Sequence, residues 1–148
     1  MYELEEGETM RYALEPWAYD VDRAHPDDAG IDMRTPVGFV LRAHEQKVVD
    51  LGVHVQLPLG TWGKMESKSG LMVNHGITCM GGVVDSGFRG TIKVRMWNTS
   101  DEDYTFEQGD KLVQMVPMPV MLSDLERVDE LDEAYFGRNA SGWGSTGR

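Results

Sequence analysis

Apolar and polar residues alternate along much of the chain. Val53, Val55 and Leu57 are separated by His54 and Gln56, and Ile92, Val94 and Met96 by Lys93 and Arg95. A period of two sends successive side chains to opposite faces, so these runs predict half-buried β-strands. The stretches FVLRA, KVVDL, KMES, ITCM, TIKVRMWN, YTFE and LVQMVPMPV read the same way. Between strands, PLG, DSG, NTSDED and EQGD carry the Gly, Pro, Asn and Asp residues that turns favour. Helical spacing is scarce. It predicts one short helix over Ser69–His75 (SGLMVNH) and a weaker turn over residues 123–131. There is no internal repeat. Many short strands and one short helix predict an all-β domain, a jelly-roll-like β-barrel. The acidic first dozen residues form a lead-in that either frays or pairs as an edge strand. From about Ala134 the composition turns to Gly, Ser and Asn. The expected division is a β domain over residues 1–133 and a flexible Gly-rich C-terminal arm over residues 134–148.

Composition narrows the function classes. The chain has 148 residues, 41% of them apolar, and no apolar run nears the roughly 18 that a membrane helix needs. The opening MYELEEGETM lacks the basic-then-apolar order of a secretory signal, so a cytoplasmic location is the expectation. Cys79 is the only cysteine, and the four histidines show no ligand spacing, which argues against an intrachain disulfide and an intrinsic zinc site. The formal net charge is -11. Such a chain repels nucleic acid and anionic membranes in bulk, so neither is an expected partner. An anionic small-molecule ligand would need a local cationic pocket or a metal.

Five stretches hold chemistry beyond scaffolding: DAGIDM (28–33), ESKSGL (66–71), GGVVDSGFRG (81–90), GDKLVQM (109–115) and the tail RNASGWGSTGR (138–148). ESKSG opens the short helix, where backbone N–H groups, Lys68 and Ser69 could meet an anion; Ser69 as a plain N-cap is the simpler reading. GGVVDSGFRG reads as a hairpin whose glycines permit close approach of a ligand. Asp85 there is either an Asx-turn residue or a general base toward water, and Phe88 either fills the core or offers a face to a sugar. Gln114 lies in an apolar row and needs a partner, which is either a backbone group or a phosphate. Asp28 and Asp32 flank a glycine and belong either to a surface turn or near a metal-bound water. The tail has no apolar stripe to hold Arg138 and Trp143. Folded over a ligand, Trp143 could stack on a base and Arg138 could fork onto a phosphate.

In this order the five stretches resemble the five motifs of the trimeric deoxyuridine triphosphatases, from about Ala29 to Gly147. Each motif is weak alone; five in order, closed by RNASGWGSTG, are specific. The resemblance implies a jelly-roll subunit and a homotrimer with active sites shared between chains, each closed by one chain's tail. It implies hydrolysis of dUTP to dUMP and pyrophosphate with Mg2+, which limits uracil incorporation into DNA and supplies dUMP for dTMP synthesis. Asp85 is then the base that activates water. Lys68, Ser69 and Gly70 meet phosphates, and Gln114 lies near the α-phosphate. Gly82, Val83 and Val84 read uracil through the backbone, Phe88 packs on deoxyribose, and Lys93 joins the substrate-binding set. Asp32 helps to hold Mg2+ through water, the substrate phosphates being the main ligands. Arg138 grips the γ-phosphate and Trp143 stacks on uracil, with Gly144, Ser145 and Thr146 alongside. Lys68 replaces the family's Arg, Phe88 its Tyr and Trp143 its Phe, while Asn139 and Ser141 stand where relatives often have glycine. None of these changes removes a group that the chemistry requires. The alternatives are a dCTP deaminase or a bifunctional dCTP/dUTP enzyme of the same fold, and a dUTP-sensing module with a regulatory protein partner. Deaminases resembling this chain carry an acid on the strand after motif three, where TIKVRMWN places Arg95 and no acid.

Overall fold

The alternating stretches become strands. A computed structural model describes residues 9–142 and contains, among them, eleven strands and one helix. The order is β1 Arg11–Leu14, β2 Ile31–Arg34, β3 Phe39–Leu41, β4 Gln46–Asp50, β5 Val53–Gln56, β6 Thr61–Ser67, α1 Ser69–His75, β7 Ile77–Met80, β8 Val83–Val84, β9 Lys93–Asn98, β10 Tyr104–Phe106 and β11 Lys111–Pro119. The strands form four sheets: β1–β5, β10–β3, β2–β11–β6–β8 and β4–β9–β7. The fold is all-β and jelly-roll-like, built from short separate sheets and not from one closed cylinder. No helix among the described residues is long and apolar enough to cross a membrane.

The alternation is used as expected. On β9, Val94 and Met96 are buried while Lys93 and Arg95 face out. All four sheets feed one core, to which Val53, Leu41, Met115 and Ile77 each contribute a side chain. The lead-in supplies an edge strand: β1 pairs antiparallel with β5, Arg11 opposite Gln56.

Two expectations change. The segment 81–90 is not a β-hairpin, because β8 pairs with β6 whereas β9 pairs with β4 and β7. Its glycines let the chain cross from one sheet to the next, with a turn closed by the Phe88 amide on the Asp85 carbonyl at 3.1 Å. Residues 123–131 form no regular element. Their three-residue spacing of Leu125, Val128 and Leu131 has no surface of the same chain to cover, and Leu125 is 99% exposed. Regular structure ends with β11 at Pro119.

One buried polar side chain ties the loops at the α1 end. Asn98 is fully buried and donates from Nδ2 to the Leu41 carbonyl at 3.0 Å and the Glu102 carbonyl at 2.7 Å. Its Oδ1 accepts from the Ser100 amide at 3.0 Å and the Ser100 hydroxyl at 2.8 Å. Replacing Asn98 with Ala strands these groups away from water and should cost about 3 kcal/mol. Asn98→Asp, which cannot donate to either carbonyl, should cost a comparable amount. Thermal or urea unfolding reads both losses; a wild-type midpoint for Asn98→Ala would contradict the assignment.

Candidate active site

The register of the largest sheet gathers three of the five stretches. Gln114 on β11 lies opposite Asp32 on β2 and opposite Glu66 on β6. Two residues beyond Glu66, Lys68 ends the strand region and caps α1, with extended backbone (φ -72, ψ 127) and no side-chain capping bond. Ser69 is therefore the first helical residue and not the N-cap, and both Ser69 and Gly70 are exposed. Gln114 Nε2 donates to the Ser67 carbonyl at 2.9 Å, so in the free chain its partner is backbone. Gly30 is required beside it: a Cβ there would come 1.9 Å from Gln114 Oε1.

Asp32 is the electrostatic centre of this end. It is 3% exposed, and each carboxylate oxygen has its own lysine. Lys68 Nζ donates to Oδ1, and Lys111 Nζ lies 3.2 Å from Oδ2. Burial pushes the carboxyl pKa up, but the hydrogen bonds and charges of Lys68 and Lys111 together outweigh it, so the pKa lies below the ordinary carboxylate value. Arg34 is close by on β2, its Nη1 donating to the Gly109 carbonyl at 2.9 Å. A chain of net charge -11 thus sets two lysines on one buried acid. Asp28, by contrast, is a turn residue: its Oδ2 accepts from the His25 amide at 3.0 Å.

The segment 81–93 forms the other end. Gly82, Val83, Val84, Asp85, Phe88 and Lys93 line a cleft of about 460 Å³, within the range of small-molecule sites. Met65 forms its floor, donating its amide to the Gly82 carbonyl at 3.0 Å. Gly82 has φ +132, and a Cβ there would lie 2.9 Å from that of Met65. Phe88 is 44% exposed and folds over Gly90. Asp85 is exposed and, among the described residues, forms no ion pair. The segment is braced from behind by His54, whose Nδ1 meets the Arg89 carbonyl at 2.7 Å and whose Nε2 meets Glu15 at 3.0 Å. Both ring nitrogens face acceptors, which favours the imidazolium; the Arg89 carbonyl first and then Glu15 raise its pKa.

The two ends are not adjacent in one chain. Val84 lies opposite Gly63, which puts Asp85 opposite Trp62, six residues along β6 from Lys68. At the rise of a strand this is about 20 Å between Cα atoms, and the Lys68 side chain turns away from β8 toward β2. Arg138 stands exposed in the tail, its Nε donating to the Ser141 carbonyl at 2.9 Å. Trp143, Gly144, Ser145 and Thr146 lie outside the described residues.

The resemblance implies a magnesium held mainly by the substrate phosphates, with Asp32 reaching it through water. Both Asp32 oxygens already receive ammonium groups, and the described residues contain no group of three or more His, Cys, Asp or Glu side chains that could hold a metal ion. The described side chains of one chain therefore do not fit a protein-held magnesium. Lys111, Arg34 and His54 were missed in the sequence reading. Lys111 lies inside the GDKLVQM stretch, yet no local pattern tells which acid it faces.

Because the folded-state pKa of Asp32 is lowered, its stabilising contribution is present above the unfolded carboxylate value of about 4 and is lost as pH falls through the folded value. The gap in thermal midpoint between the wild type and Asp32→Asn should therefore be widest near neutrality and shrink in acid. Midpoints measured from pH 7 to pH 3 check this, and a constant gap would refute the lowered pKa.

Comparison with known proteins places this geometry. The family model described as dUTPase matches residues 18–147. The deoxyuridine 5'-triphosphate nucleotidohydrolase of Clostridium novyi (strain NT) is 38% identical over 127 residues, covering 84% of this chain and 88% of that relative. A Staphylococcus bacteriophage 80alpha dUTPase mutant, solved with dUpNHpp, superposes with a TM-score of 0.85 at 25% identity, over 95% of this chain and 99% of that one. A mutant dUTPase from phage phi11 of S. aureus, whose structure reveals coordination of a structural Mg(II) ion, shares the fold at a TM-score of 0.77 and 24% identity, over 84% of this chain and 99% of that one. With 130 consecutive positions spanned by one family model and a relative 38% identical over most of both chains, this chain belongs to the dUTPase family.

Proposed function

We propose that the chain hydrolyses dUTP to dUMP and pyrophosphate. The observation that carries this reading is the 81–93 cleft, lined by Gly82, Val83, Val84, Phe88 and an exposed Asp85 that forms no ion pair among the described residues. Uracil would enter against the backbone of Gly82–Val84, where N–H and C=O groups can read its edge. Phe88 would pack on deoxyribose, where a ribose 2′-hydroxyl would clash. A water lined up behind the α-phosphorus forms the new P–O bond while the bond to the α,β-bridging oxygen breaks. The electron pair leaves with pyrophosphate, and Asp85 accepts the water's proton. A magnesium ion, held mainly by the substrate phosphates, would screen their charge. Lys68 and the exposed N–H groups of Ser69 and Gly70 meet the phosphates, Gln114 sits near the α-phosphate, and Arg138 with residues 143–146 of the tail close over the nucleotide.

A base works within hydrogen-bond reach of the water it activates. One triphosphate cannot touch Lys68 and also present its α-phosphorus to Asp85 of the same chain across roughly 20 Å. We therefore take the two groups from different copies, in a homotrimer with shared sites. The apolar residues after β11 support this assembly: Leu125, Tyr135 and Phe136 are 99, 93 and 91% exposed. Such a run has little reason to face water and is suited to a second copy. Deamination of dCTP is disfavoured, since β9 carries Lys93 and Arg95 on its exposed face and no acid.

Pyrophosphate release from dUTP, dCTP, dTTP and UTP, measured side by side, should be confined to dUTP. Asp85→Asn should keep dUTP affinity and lose turnover by about 100-fold or more; normal turnover in that variant would remove Asp85 as the base. Sharing of sites has its own test. Asp85→Asn and Lys68→Met chains, each nearly inactive alone, should regain about a quarter of wild-type activity when refolded together in equal amounts, because random assembly restores one site in four. No recovery would place both groups in one chain.

A further inference from the structure

Lys68 cannot serve a phosphate and also remain the sole counter-ion of Asp32. That carboxylate is 3% exposed, and a buried charge stripped of its partner is strongly destabilising. The structure holds a second lysine where it would be needed. Lys111 lies 3.2 Å from Oδ2, while Lys68 bonds Oδ1, so each ammonium has its own oxygen and either can leave without displacing the other. The backbone explains how Lys111 gets there. Its register partner on β2 is Arg34, two residues from Asp32, and the pairing slips between Lys111 and Val113. The bulge lets Lys111 reach back along β2 to Asp32. Arg34 donates from Nη1 to the Gly109 carbonyl and, among the described residues, forms no ion pair with Asp32.

The two lysines differ in what carries them. Lys111 opens β11, where its register partner is Arg34 on β2, and from Val113 onward β11 is paired on its other side to β6 as well. Lys68 sits at the junction of β6 and α1, beside the exposed Ser69 and Gly70. A lysine at an element junction next to open backbone can swing to a ligand; one whose backbone is in register with the strand of its acid is the better placed to stay. We propose that Lys111 is a positioning residue for the phosphate site, holding the Asp32 carboxylate neutralised while Lys68 leaves it for an incoming triphosphate. In this exchange Asp32 is a dock that holds Lys68 oriented in the empty site. Lys111 is what makes the departure cheap enough for binding. The inference rests on Lys68 as a phosphate ligand, which belongs to the function proposed above.

The test compares the wild type, Lys111→Met, Lys111→Gln, Lys111→Arg, Asp32→Asn and the double variant Asp32→Asn/Lys111→Met. Lys111→Met and Lys111→Gln should raise KM for dUTP, and the Kd of the non-hydrolysable analogue dUpNHpp, by about tenfold, with kcat within about threefold of wild type. Lys111→Arg should restore binding. In the Asp32→Asn background, where no carboxylate needs neutralising, removing Lys111 should weaken binding no further. Two results would overturn the proposal: unchanged binding in both neutral Lys111 variants, or an equal loss with and without the Asp32 carboxylate. A merely structural Lys111 would lower the thermal midpoint and leave the cycle additive. Absence of dUTP hydrolysis in the wild type would overturn the proposed function, and this inference with it, before any variant is made.

Discussion

Seven consecutive residue pairs join β6 to β11, from Ser67 opposite Val113 to Thr61 opposite Pro119. This antiparallel ladder is the longest among the described residues and sets the spacing between Lys68 and Asp85. At one end it brings Gln114 into line with Asp32 and Glu66 and places Lys68 just past the strand. At the other it receives β8, and with it the turn that holds Asp85. A pleated strand cannot shorten without losing its register, since a slip of one residue would send every side chain to the opposite face. Met65 and Met115, paired across the ladder and both buried, fix that register by packing. The distance between the two halves of the site is thus a consequence of the core.

Electrostatics at the Lys68 end follow a similar logic. The chain as a whole repels anions, and a triphosphate is among the most highly charged small molecules a protein handles. Isolated surface lysines would do little against that background in salt. Setting Lys68 and Lys111 on one buried carboxylate does more, because the acid holds both ammonium groups in place in the empty site. Two lysines on one carboxylate leave a local excess of positive charge.

Much of this was legible in the sequence, for definite reasons. Strict alternation in β5 and β9 marks strands because only a period of two buries one face. SGLMVNH forms the expected helix, closed by Gly76 in the left-handed conformation (φ 66) that glycine adopts most readily. The residues of the 81–93 segment do line one cleft. What could not be read was anything fixed by pairing between distant segments. DAGIDM looks like a surface turn until β11 covers it and buries Asp32. GGVVDSGFRG has the composition of a hairpin, and only the sheet partners of β8 and β9 show a crossover. Lys111 is visible as a residue and invisible as a partner, since its link to Asp32 depends on a bulge that composition does not encode. Ser69 is a good capping type by residue preference, yet the strand carries the chain one residue further and leaves Lys68 in the capping position.

Under the proposed hydrolysis, the separation of Asp85 from Lys68 and the exposed apolar run after β11 would be two views of one condition. The β6–β11 ladder holds the Asp85 turn and Lys68 apart, and the proposed reaction would need a base at one phosphorus and cations on its neighbours, more than one chain brings together. Moving them together within the chain would require breaking the ladder, at the expense of the core. Bringing a second copy alongside needs only a surface that makes association favourable. Leu125, Leu131, Tyr135 and Phe136, exposed beyond the last strand of the described residues, would supply that surface. Their burial against a neighbour would stabilise the assembly by the ordinary hydrophobic effect. Affinity between copies and completion of the proposed site would then be coupled, and dilution below the assembly threshold would remove both together.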